Sequence, residues 1–322
     1  MGWGITLFWA AGSIAAYVYS QIRGIPLEVA LPLLPAFLME ATMFLGLGLE
    51  RVRARLEQLP PWAAALILTL SAMLPYSAAA AVSGSFDPRS LGVIGGLAMV
   101  ASLWFVLLPH RAPADVLFLA AVGVVAFSKV LDMQYVDPHP RLPLGILGKL
   151  MWIRVAAFAL LSLRRVPGVD FGFWPEQRHW KIGTLYFLAL LPAAVLVGWA
   201  VNFGSPHTPQ AGWEQMPALA LGTFFGILWV VALGEEFFFR GLLQQWFGSW
   251  LGHEWGGLAL TSLLFGAIHL WTPRGRFPDW QFAPLVATAG LFYGMAFRQA
   301  KSIRASMVTH ALTVTTWRVF FS

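Results

Sequence analysis

The chain has 322 residues, of which 58% are hydrophobic and 11% charged, with a mean hydropathy of +0.68. A soluble domain carries about 25% charged residues, so this composition is that of an all-α, multi-pass membrane protein. The net charge of +6 comes from Lys and Arg in short loops between apolar runs, where they set topology and argue for no nucleic-acid partner, and the absence of Cys excludes disulfides, a thiolate nucleophile and a cysteine metal site.

At about 20 apolar residues per span, helices are expected near 3–19, 27–49, 61–82, 91–109, 115–131, 144–163, 182–202, 218–247, 256–271, 282–300 and 302–321. That is a polytopic transmembrane bundle of about 11 helices, within a range of about 8 to 11. The N-terminal Met1-Gly2-Trp3-Gly4 has no basic stretch of the signal-peptide kind, so the first helix is expected to be retained. Breakers separate the runs, among them Gly24-Ile25-Pro26, Leu59-Pro60-Pro61, Pro138-His139-Pro140 and Gly204-Ser205-Pro206.

Alternate loops carry Arg51, Arg53 and Arg55, then Arg111, then Arg164, Arg165, Arg178 and Lys181, then Arg298, Lys301 and Arg304. The other set holds little beyond Arg23, Arg89, Arg141, Arg274 and Arg276. Positive loops stay inside, which predicts a cytoplasmic N-terminus and, with an odd helix count, an external C-terminus. The charged break at 164–181 predicts a boundary: N-terminal transmembrane helices of unassigned role over 1–165, and a second bundle over 166–322.

Within that second bundle, Glu235, Glu236 and Arg240 lie inside an apolar segment, and ionisable residues at such a depth mark a functional site by default. On a helix Glu236 and Arg240 are four apart and share a face, acid N-terminal to base, whereas Glu235 points about 100° away without a local partner. Downstream, His269 follows Phe265 by four residues and His310 lies in the last helix. A lone buried His is more often a packing residue than a catalyst, but two of them after a Glu-Glu-x-x-x-Arg segment favour chemistry. Glu28, Glu40, Lys129, Lys149 and Arg154 also fall in or near spans, where interhelical pairing or snorkelling is favoured over an ion path.

Glu235-Glu236-x-x-x-Arg240, Phe265-x-x-x-His269 and His310, in that order on three hydrophobic helices, resemble the three-motif core of the CPBP intramembrane proteases. This family is also called the Abi or CAAX-protease family and includes the Ras-converting-enzyme type of prenyl endopeptidase. The resemblance spans roughly 217–316. It implies hydrolysis of a peptide bond in a membrane-associated substrate, prenylated or carrying a signal or sorting tail, at the plasma membrane of a bacterium. Glu235 would take a proton from water, His269 would orient that water and His310 would support the oxyanion, with Glu236, Arg240 and Phe265 as supporting residues. The family's third motif usually has Asn or Asp four residues after the His, and here that place holds Val314.

Glu235, His269 and His310 are also a three-ligand set for zinc or another divalent metal with one position left for water, and the spacing does not choose between the two forms. A non-catalytic scaffold or immunity protein is the alternative that Val314 favours. An ion-coupled transporter is a further one, weakened by the lack of an internal repeat. Counted along the predicted spans, Glu235 and His269 fall at different depths. Their convergence requires a shifted boundary, a tilted helix or re-entry of 272–281.

Overall fold

A computed structural model describes residues 2–203, 214, 216–271 and 278–321. The break at Gly204-Ser205-Pro206, Arg274, Arg276 and most of 272–281 lie outside these residues. The chain divides into two compact units, Met1–Val166 and Pro167–Ser322, and the described residues are helical with no named strand.

The first unit contains α1 (Gly2–Arg23), α2 (Leu27–Leu47), α3 (Glu50–Glu57), α4 (Pro61–Ser83), α5 (Pro88–Leu107), α6 (Ala112–Phe127) and α7 (Gly145–Phe158), the last extended by a π-helical turn over Ala159–Leu163. Local chemistry sets the ends. Proline begins α4 and α5, where the missing N–H is one that no helix satisfies. Asp87 caps α5 by accepting from the N–H groups of Arg89 and Ser90. Its core includes Leu33, Ala36, Ala79, Leu144 and Leu147 where α2, α4 and α7 meet. The segment expected as an arginine-bearing loop after α2 is instead the short polar helix α3.

Charged residues inside this unit are paired. Arg154 Nε and Nη2 donate to the two oxygens of Glu40 at 2.7 and 3.0 Å, and its Nη1 reaches Ser71 Oγ at 2.9 Å. Lys149 pairs with Asp132 at 2.9 Å, and Glu28 is an exposed residue in the first turn of α2. Interhelical pairing accounts for Glu40 and Arg154, whereas the Lys149–Asp132 pair is exposed.

The second unit contains α8 (Gln177–Ala200), a continuous helical run over 216–251 designated α9, then α10 (Glu254–Ile268), α11 (Phe282–Ala300) and α12 (Ile303–Phe320). Among the described residues seven helices are long and apolar enough to cross a membrane: α1, α2, α4, α5, α7 with its extension, α8 and α9. The protein is a multi-pass membrane protein. The helices α11 and α12 are 19 and 18 residues long, and about half of the residues of each are buried against protein. Gly183 lets α8 approach α12, since a Cβ there would come within 2.6 Å of Val308 Cβ. Large apolar side chains such as Val195, Leu196 and Trp199 of α8 are exposed, as lipid-facing residues are.

Candidate active site

The carboxylates sit in the α-helical turn Leu233–Glu236 of α9, between two stretches of wider π-helical winding, Ile227–Ala232 and Phe237–Gln244. Such turns gather at functional sites. As the four-residue spacing requires, Arg240 Nη1 donates to Glu236 Oε1 at 3.0 Å, and both side chains are fully buried. Arg240 Nη2 donates to the Gly290 carbonyl at 3.0 Å, and its guanidinium carbon lies 4.6 Å from the centroid of the Phe265 ring. Glu235 faces elsewhere and stays about a third exposed, at 35%.

The relative depth of Glu235 and His269 is set by a helical hairpin. The run α9 continues to Leu251, turns at Gly252 in the left-handed conformation and returns as α10 from Glu254. Glu235 is 16 residues before Leu251 and His269 is 15 after Glu254, so an antiparallel hairpin brings them to one level. Gly257 allows this pairing: a Cβ there would lie 2.4 Å from the Gln244 carbonyl oxygen. His253, exposed between the two helices, caps α10 by accepting from the Gly256 N–H at 2.9 Å. His269 does not lie in a helix interior as expected; it ends α10 and begins a 3-10 turn over His269–Trp271. Its Nδ1 donates to the Phe265 carbonyl at 2.7 Å, which leaves Nε2 with a lone pair.

His310 enters from α12. Its Nδ1 donates to Glu236 Oε1 at 2.7 Å, its Nε2 lies 3.9 Å from Glu235 Oε2, and its ring stacks on Tyr293 at 4.7 Å between centroids. Glu236 therefore holds two donors, Arg240 and His310, on one oxygen. A cavity of about 260 Å³ is lined by Glu235, His269, His310, Tyr293, Val314 and Arg318 together with apolar side chains. Phe265 stands among the charged groups, 4.9 Å from the His269 ring and 6.1 Å from that of His310, centroid to centroid.

Residues 217–316 match the family described as Type II CAAX prenyl endopeptidase Rce1-like. This segment is similar to that Rce1-like family. It agrees with the CPBP and CAAX-protease resemblance carried by the three motifs, and it covers about a third of the chain. No curated protein and no solved structure matches the chain.

The Rce1-like segment holds the polar groups that spacing points to, and one that it does not. Val314 lines the cavity without a polar atom. Of the neighbouring threonines, Thr309 Oγ1 donates to the Gly183 carbonyl at 3.0 Å, whereas Thr313 lines the cavity, donates through Oγ1 to the Thr309 carbonyl at 2.7 Å and is hydrogen-bonded to the Tyr293 side chain. Tyr293 was not legible as a site residue, because an aromatic in an apolar helix reads as core. The second donor to Glu236, the His310 ring, was likewise invisible, since the two are 74 residues apart.

As donors for a metal, the two imidazoles have the right chemistry, each with Nδ1 committed to an oxygen and Nε2 left over. Their placement does not follow suit. Among the described residues no three His, Asp or Glu side chains converge closely enough to hold an ion.

Proposed function

We propose that the Rce1-like segment is an intramembrane endopeptidase that hydrolyses a peptide bond in a membrane-borne substrate, prenylated or otherwise tethered to lipid. One observation carries this: a single cavity is lined by an exposed carboxylate and two imidazoles, while the second carboxylate is locked beneath them by Arg240.

Glu235 is the general base. A water held between its carboxylate and the Nε2 lone pair of His269 loses a proton to Glu235 as its oxygen bonds to the scissile carbonyl carbon. The carbonyl oxygen becomes an oxyanion and is met by Nε2–H of His310. Because His310 already donates through Nδ1, it serves this role as an imidazolium, its charge held by Glu236. The four ionised groups, Glu235, Glu236, Arg240 and His310, then sum to zero. On collapse the carbon–nitrogen bond breaks and Glu235 returns the proton to the leaving nitrogen.

The test is cleavage of a lipid-tethered peptide by the full chain in proteoliposomes. Glu235→Gln and His269→Ala should each lower kcat by about 10²–10⁴-fold, the range of general acid–base catalysis, with the melting temperature retained. Full activity in either variant overturns the assignment. Chelators should leave the rate unchanged, and a rate lost to chelation and restored by zinc would move the mechanism to the metal form. Val314 favours a second reading, a scaffold that binds without cutting. It predicts no cleavage by the wild-type chain and none by Val314→Asn.

A further inference from the structure

Three polar side chains of α9 stand one helical turn apart behind the cavity: Glu236, Arg240 and Gln244, exposed by 0%, 0% and 4%. They face α11, where Arg240 Nη2 donates to the Gly290 carbonyl and Gln244 Nε2 to the Gly294 carbonyl at 3.1 Å. Each keeps one further polar atom, Glu236 Oε2, Arg240 Nε and Gln244 Oε1, buried and without a protein partner among the described residues. Buried polar atoms of this kind are satisfied by ordered water in folded proteins. The order of the three suits it: a donor, Arg240 Nε–H, stands between two acceptors, and water both accepts and donates. Toward one end, the other oxygen of Glu236, Oε1, accepts from His310, a lining residue of the catalytic cavity. The other end is a second cavity of about 440 Å³ at the α9–α10 turn, lined by Gln244 with the polar residues Gln245, Ser249, His253 and Arg298.

We infer that Glu236, Arg240 and Gln244 form a binding site for ordered water that joins the polar pocket to the catalytic cavity from behind. Each hydrolysis consumes one water, and a peptide seated in an otherwise largely apolar cavity excludes solvent from the front. The file keeps the site wet while substrate is bound. This function rests on the endopeptidase reading; the water site itself does not.

A structure of the full chain at a resolution that shows solvent tests the site without reference to activity. Water within hydrogen-bond distance of at least two of the three atoms is expected, and Glu236 Oε2, Arg240 Nε and Gln244 Oε1 meeting only protein would overturn the proposal. The kinetic test replaces Gln244. Gln244→Leu is expected to lower kcat about tenfold with KM unchanged, whereas Gln244→Glu, which keeps an oxygen for water beside Arg240 but loses the donor to Gly294, should stay within about twofold of wild type. If Gln244 served only to tie α9 to α11, both variants would be equally impaired, and that result overturns the inference. A wild-type chain that cuts nothing removes the endopeptidase reading and leaves the structural test to decide the water site.

Discussion

Glu236 Oε1 receives Arg240 at 3.0 Å and His310 at 2.7 Å with no part of Glu236 exposed. A buried pair of this kind is weak evidence of net stability, because desolvation offsets much of the attraction, but removing one partner strands the other. Arg240→Ala is expected to destabilise the protein by about 3–5 kcal/mol, measured by thermal or chemical unfolding in detergent. Arg154→Ala should do the same by stranding Glu40 in the first unit, where Nε and Nη2 now hold both carboxylate oxygens. The two variants differ in their effect on chemistry. Arg240 touches the carboxylate that orients His310, so its loss should also lower kcat in the surviving folded fraction.

At the level of elements, the site depends on how the helices are paired end to end. Gly257→Ala would drive a Cβ to 2.4 Å from the Gln244 carbonyl oxygen, a backbone atom with no room to yield. Overpacking of this sort costs about 1–3 kcal/mol. The displaced hairpin would also separate Glu235 from His269, and an offset of about 1 Å can lower a rate about 10²-fold. The loop before α8 is tied to the start of α12 in a different way. Both Asp170 oxygens accept from Arg304, Glu176 accepts from Arg304 at 3.1 Å, and the Ile303 N–H donates to the Val169 carbonyl at 3.1 Å. Partial burial raises the Asp170 carboxyl, but hydrogen bonds from Arg304 and Ser302 and the Arg304 charge outweigh it, so the group lies below its ordinary range. A depressed carboxyl stabilises the fold fully above its unfolded value of about 3.9, and that contribution is lost as pH falls through the lower folded value. Stability should therefore decline below about pH 4, with Asp170→Asn less stable at neutral pH and less sensitive to this acid range. The effect is modest, because the side chain is 37% exposed and screened by solvent.

For the whole molecule, the loop arginines and eleven crossings, one for each helix of the described residues except α3, predict a cytoplasmic N-terminus and an external C-terminus. Reporter fusions at Met1 and Ser322 that fluoresce on opposite sides of the membrane would bear this out. Reporters on one side would require an even number of crossings, with α10 or α6, the short apolar helices, as the ones that fail to span.

Composition and run length by themselves determined the all-helical membrane class and the positions of these helices, because lipid demands long apolar segments whose backbone is satisfied internally. Spacing alone also determined the Glu236–Arg240 pair, since residues four apart on a helix meet whatever surrounds them. Tertiary structure decided the rest. His269 reaches the level of Glu235 because α9 and α10 pair as an antiparallel hairpin about the turn at Gly252, a pairing that no local pattern encodes. His310 meets Glu236 and Tyr293 through packing of α12 against α9 and α11, contacts between residues far apart in sequence that no local pattern encodes. Only the packed bundle showed that the Thr309 hydroxyl is turned to the Gly183 carbonyl while Thr313, beside Val314, lines the cavity next to Tyr293.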